Sequence, residues 1–63
     1  MNLEEIRMLD GKKISTKKFE KIKKSDCVLG VNLLGVIAQT YYKRGYEYKI
    51  LLNDNTSICV VEI

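Results

Sequence analysis

Two clusters of side chains in this sequence could do chemistry at the surface of a partner. Across residues 12–24 the stretch KKISTKKFEKIKK holds seven lysines in thirteen residues. Ammonium groups at that density suit a polyanion, because each phosphate they neutralise releases a counterion and steepens the salt dependence of binding. Lys12, Lys13, Lys17, Lys18, Lys21 and Lys24 are the polyanion-binding candidates. The run contains no arginine, so it lacks the guanidinium fork that favours specific base or phosphate contacts. A solvated helix face accounts for the same residues. A short helix with two apolar anchors must expose everything else, and lysine keeps a small protein soluble. An acidic protein surface is the third partner the run would suit.

The second cluster is YYKRGYEY, residues 41–48, with four tyrosines around a basic turn. Aromatic faces next to a cation can stack bases or a nucleotide. Tyr and Arg are also the side chains from which protein-binding hot spots are built. Aromatic residues populate strands for packing reasons alone, however, and the strand register preferred below turns Tyr42, Tyr46 and Tyr48 to the core. Tyr41 and Arg44 are left outside.

Several other chemistries find no residues to perform them. The chain has no histidine, so no serine or cysteine nucleophile can be activated in the common way. Its two cysteines, Cys27 and Cys59, cannot supply the four ligands of a structural zinc site. The run Asn53-Asp54-Asn55-Thr56 offers oxygen ligands without calcium-loop spacing and reads as a turn. Gly30 and Gly35 are not followed by the Gly-Lys-Ser/Thr of a phosphate loop. The eight acidic residues are scattered, and a chain of 63 residues leaves little room for a pocket in which two could converge. The expectation is a protein that is not an enzyme, with no metal and no cofactor.

Size sets further bounds. Sixty-three residues make one small domain, which buries only about 60% of the surface its unfolded chain exposes and often needs a staple or a partner. A hydrophobic fraction of 46% argues against disorder. The first residues, MNLEEIRMLDG, place acids where a secretory signal has basic residues. That predicts a cytoplasmic protein with both thiols reduced and used for packing. The sequon Asn55-Thr56-Ser57 then carries little meaning. The apolar stretch 28–38 is too short to span a bilayer, so no membrane association is expected. Charge is uneven. Residues 1–26 hold eight basic and five acidic side chains and residues 27–63 hold three of each, so the net +3 lies in the first half. Richness in Lys, Ile and Asn, without Pro, Trp or His, is what an AT-rich genome tends to write.

The elements that must position these residues are read from apolar spacing. LEEIRML, Asp10-Gly11 and KKIS predict an N-terminal β-hairpin with Gly11 left-handed in a three-residue turn, Ile6 facing Ile14 and Met8 facing Lys12. A short helix over residues 2–9 is the alternative, favoured by Glu4 and Glu5 near its start. Ser15 or Thr16 caps a helix that ends near Ser25, with Phe19 and Ile22 as its core anchors. Lysines three and four residues apart repel, so packing must hold this helix in place.

From Val28 onward the texture is strand. Gly30 and Gly35 mark bends or bulges. A turn at Arg44-Gly45 would pair Val36, Ala38, Thr40 and Tyr42 with Leu52, Ile50, Tyr48 and Tyr46. The last turn leaves two registers open. A loop of two or four residues brings Cys59, Val61 and Ile63 to the core face, and a loop of three brings Ile58 and Val60. Ile37, Tyr41 and Leu51 fall on the opposite face, which a single short helix cannot also cover. The sheet must then curl into a small barrel or meet a second copy.

Residues 10–22 combine an Asp10-Gly11-Lys12 turn, the step Ile14-Ser15, and a short helix ending in Glu20-Lys21-Ile22, after an apolar strand. This pattern resembles short, uncharacterised proteins encoded by bacteriophages and other mobile elements. The resemblance implies a non-catalytic protein that acts by binding, in some cases as an inhibitor of host defence. It implies no particular residue as a site.

These readings combine into an α+β fold: an N-terminal β-hairpin, one short lysine-rich helix, and a twisted antiparallel meander of three to four strands able to close into a small barrel. The expected function is an inhibitor or adaptor that binds a host protein as a homo-oligomer, with Tyr41, Arg44, Ile37 and Leu51 as partner-binding residues. The alternative is a basic nucleic-acid or nucleotide binder that uses the lysine helix with Tyr41 and Arg44.

Overall fold

A computed structural model describes residues 1–38 and 44–63. The elements are α1 (Leu3–Arg7), β1 (Lys13–Ile14), α2 (Thr16–Lys23), β2 (Val28–Ala38), β3 (Arg44–Leu52) and β4 (Ser57–Glu62). The strands form one mixed sheet in the order β1-β4-β3-β2, in which β1 runs parallel to β4 and the other neighbours are antiparallel. The fold is α+β, as composition and pattern indicated. The sheet is open and does not close into a barrel.

The N-terminal hairpin is replaced by helix α1. Asn2 Oδ1 accepts the Glu5 N–H at 2.8 Å, and Glu5 Oε1 accepts the Asn2 N–H at 3.4 Å. This reciprocal capping box, with two acids in the first turn and Arg7 in the last, favours a helical start over an extended one. Gly11 is left-handed at φ 77°, as its turn chemistry required. It redirects the chain from α1 into β1 rather than between two strands. β1 then lies along β4, with Lys13 opposite Val61 and Ile14 opposite Glu62.

Helix α2 begins where expected, with Ser15 Oγ accepting the Lys18 N–H at 3.2 Å. Phe19 and Ile22 are its buried residues. Strand β2 shifts register between Val28 and Gly30 and again between Leu33 and Gly35, so both glycines do sit beside bulges. The β2–β3 register differs from the expected one. Val36 pairs with Tyr46 and Ile37 with Gly45, so β3 already runs at Arg44-Gly45 instead of turning there. The expected pairings of Thr40 and Tyr42 fall outside the described residues. Val36 still shares a face with Tyr46, Tyr48, Ile50 and Leu52, because the register moved by an even number of residues.

The three-residue alternative holds for the last turn. The Leu52 N–H donates to Thr56 O at 2.8 Å, and Asn55 is left-handed at φ 67° between them. Ile58 pairs with Ile50 and Val60 with Tyr48, so Ile58 and Val60 face the core. Ile6, Ile14, Phe19, Ile22, Ile50, Leu52, Ile58 and Val60 form one buried cluster. Each such side chain contributes about 1.5–3 kcal/mol by leaving water. Both helices therefore cover one face of the sheet, and no described element covers the other.

Candidate protein interface

Face by face, the sheet sorts the candidate residues differently from the sequence. On the helix-bearing face the register sets Tyr48 beside Leu33 and Val60, and Tyr46 beside Val36 and Glu62. The Tyr48 ring packs on Phe19 with centroids 4.4 Å apart and a tilt of 34°. Burial of its phenol favours the neutral form and raises its pKa above the ordinary tyrosine value, and the nearby Glu62 carboxylate adds to this. Tyr46 was expected in the core. It lies beyond the reach of the helices and is exposed, as are Leu33 and Val36. Arg44 begins β3 opposite Ala38 and is exposed.

The uncovered face carries Ile37, Glu47, Lys49, Leu51, Ser57, Cys59 and Val61 by alternation along the strands. Leu29, at the first bulge, joins them. With Lys49, Leu51, Asn55, Thr56 and Ser57 it lines a shallow trough of about 360 Å³. Leu29 is 67% exposed and Leu51 39%, whereas Ile37 is half-buried. Ile37 and Leu51 thus share the uncovered face, and Arg44 stands at the far end of the β2–β3 arm on the opposite face. Tyr41 lies outside the described residues.

Asp54 organises one end of the trough. Its carboxylate accepts hydrogen bonds from the hydroxyl and the backbone N–H of Thr56 and stands 3.5 Å from the Arg7 guanidinium. The Thr56 hydroxyl, more than any other group, holds its pKa below the ordinary carboxylate value. A larger depression of about 600 Å³ lies over α1, lined by Leu3, Glu4, Arg7 and Met8. Its arginine is the one engaged with Asp54.

The lysines do not converge. Lys13 sits opposite Val61 with its neighbour Ile14 in the core, so it points to the uncovered face. Lys12 precedes it in the connection and is exposed. Lys17, Lys21 and Lys24, spaced by four and three, form one row on the outward side of α2, with Lys18 beside it. Lys23 donates to Glu20 at 2.9 Å and stands 5.1 Å from the centre of the Phe19 ring. Its pKa is raised chiefly by the Glu20 hydrogen bond. The single acid of α2 is thereby taken by a lysine outside that row.

Cys27 is half-buried against the core and Cys59 half-buried on the uncovered side, and both are free thiols. Among the described residues no group of three or more acids, cysteines or histidines is placed to hold a metal ion. Among them, too, no helix is long and apolar enough to cross a membrane.

Sequence reasoning missed Leu29, Leu33, Leu34, Val36 and Tyr46 as surface residues. All are exposed apolar side chains of the β2–β3 arm. The signal available was the length of the uncharged run 28–38 set against one short helix, since eleven strand residues cannot all be covered by two anchors. Comparison with protein-family models, with curated proteins and with solved structures gives no match.

Proposed function

We propose that this chain is a non-catalytic, cytoplasmic binding protein that works as an oligomer. In this reading it docks the uncovered side of its sheet on a host protein, as an inhibitor or adaptor of the kind phages and mobile elements encode. The observation that carries the reading is the trough with Leu29 and Leu51 at its apolar side, on a face without a helical cover. Aliphatic side chains left in water on a sheet face mark a surface that gains by being covered. Ile37 extends this surface, whereas Arg44 and Tyr46, residue types common in hot spots, stand on the helix-bearing face at the end of the arm and lie outside it. Lys49 and Glu47 give it a polar rim of both signs.

The test is capture of host proteins on immobilised protein at low and high salt, comparing wild type with Leu29→Lys/Leu51→Lys. Both positions are exposed, so the double variant keeps its fold by circular dichroism. A partner held by wild type through a high-salt wash and lost by the variant supports the reading. Equal capture by both proteins contradicts it.

The second reading, a nucleic-acid binder, draws on the outward row Lys17, Lys21 and Lys24, for which no ion-pair partner occurs among the described residues. It requires affinity that falls steeply as salt rises. The first reading requires only modest salt sensitivity.

A further inference from the structure

The two edges of the sheet are finished in opposite ways. On the β4 side the outward N–H groups of Cys59, Val61 and Ile63 are all taken up. The Val61 N–H donates to Lys12 O at 3.1 Å and the Ile63 N–H to Ile14 O at 2.9 Å. Beyond the end of β1, Asp10 continues the ladder with a side chain: its carboxylate accepts the Cys59 N–H at 3.0 Å, while the Gly11 N–H donates to Cys59 O at 2.7 Å.

The other edge is β2, and it has no such cover. Its eleven residues, VLGVNLLGVIA, include no charged side chain and no proline. Among the described residues, no backbone group over 29–38 finds a hydrogen-bond partner other than β3. Leu33 is 59% exposed and Leu34 52%. Long apolar edges recruit another strand unless lysine, proline or a covering element blocks them. Among the described residues the two bulges are the only protective device, and they leave residues 30–33 as a regular run between them.

We propose that a second copy of this chain occupies the β2 edge, with β2 pairing antiparallel to its own counterpart across a two-fold axis. The four-stranded sheets then join into one of eight strands. This rests on the oligomeric part of the function proposed above and gives it a location.

Charge does not oppose a second copy, because an uncharged strand paired with itself sets no like charges opposite one another. A continuous antiparallel sheet requires the two-fold axis to stand perpendicular to it, so both copies present their helices on the same side. Helix α2 leads directly into the start of β2, and the exposed Leu33, Val36 and Tyr46 lie towards its end. Antiparallel pairing therefore sets the bare end of each arm beside the helix-bearing end of the other. A stable interface takes roughly 800 Å² from each partner. That is roughly a fifth of the 4495 Å² this chain exposes, and an eleven-residue edge flanked by the exposed Leu33, Leu34 and Val36 contributes towards it.

The experiment is sedimentation equilibrium from about 1 μM to 1 mM, the span of modest association constants, with amide hydrogen exchange at both ends of the range. Wild type is compared with Leu33→Lys, Leu34→Lys and Leu51→Lys. The expected result is a wild-type dimer whose β2 amides gain protection with concentration. Each β2 lysine should weaken dimerisation at least about tenfold, and Leu51→Lys should leave it intact. The exchange measurement on wild type carries the test alone if a β2 variant fails to fold.

A wild type that stays monomeric throughout overturns the proposal. So does a dimer lost in Leu51→Lys but kept by the β2 variants, which would place the interface on the uncovered face. Protection of β2 only when a captured host protein is added also overturns it, in favour of a foreign strand. A monomer that still captures a partner through Leu29 and Leu51 sinks the dimer and spares the binding reading. A dimer that captures nothing does the reverse.

Discussion

Replacing Phe19 with alanine tests how this small domain is held together. Phe19 is 2% exposed, stacks on Tyr48 with ring centres 4.4 Å apart, and is one of two residues that anchor α2. Truncating a buried phenylalanine costs about 3–5 kcal/mol through lost transfer energy and the cavity left behind. A domain of this length has a total stability of only about 3–9 kcal/mol. The lysine-rich helix adds little of its own, since like charges at spacings of three and four repel. Phe19→Ala should therefore remove from about a third to all of the folding stability at 25 °C. Phe19→Leu keeps an aliphatic filling and loses mainly the ring pair, at about 1 kcal/mol. The assay is urea denaturation followed by circular dichroism, at one fixed protein concentration because association would add to apparent stability. An exposed control, Lys17→Ala, should fall within about 0.5 kcal/mol of wild type. A Phe19→Ala protein destabilised by less than about 1 kcal/mol would refute the claim that this ring docks α2 on the sheet.

Four further outcomes follow from the caps, the turns and the titrating groups. Ser15→Ala removes the acceptor for the Lys18 N–H and should lower stability by about 1 kcal/mol in the same urea assay. Gly11→Ala places a Cβ on a residue at φ 77° and should cost roughly 1–2 kcal/mol, although nothing lies within 4 Å of the added atom. Its melting temperature should fall accordingly. Asp54 has a folded-state pKa below its unfolded value, so its contribution is present above the unfolded pKa and is lost as pH falls through the folded one. Asp54→Asn should flatten that acid limb of the stability profile. Tyr48 has the opposite sign, with a folded pKa above the unfolded value. Its contribution is full below the unfolded pKa and is lost as pH rises through the folded one, a limb that Tyr48→Phe should remove.

What was legible in the sequence was local. Ser15 ahead of a lysine helix anchored by Phe19 and Ile22, the glycines beside two bulges, and left-handed Gly11 all follow from side-chain chemistry within a few residues. The N-terminal element turned on whether the alternating Ile6, Met8 and Ile14 or the Asn2–Glu5 capping box would win, and the cap won. Pairing across the sheet was harder. Arg44-Gly45 looks like a turn, yet Gly45 sits in β3 opposite Ile37. An even shift of register keeps every side chain on its face, so the apolar pattern could not tell the two pairings apart. The parallel pairing of β1 with β4 was invisible, because two residues carry no period. The site was legible only in part. Ile37 and Leu51 do share the uncovered face, but Leu29, Leu33, Leu34 and Val36 resembled core residues. Hydrophobicity marks what can be buried and does not say whether enough chain exists to bury it.

The account treats the lysines of α2 as a solvated face and the apolar sheet as the surface that binds. It is tested most directly by measuring binding of short single- and double-stranded DNA and RNA between about 50 and 200 mM salt, the range over which phosphate contacts declare themselves. Wild type is compared with Lys17→Glu/Lys21→Glu/Lys24→Glu, whose fold is checked by circular dichroism. The account predicts no appreciable binding at the low-salt end for either protein. Tight wild-type binding that falls steeply with salt and disappears in the folded triple variant would contradict it and make residues 12–24 a grip on phosphate.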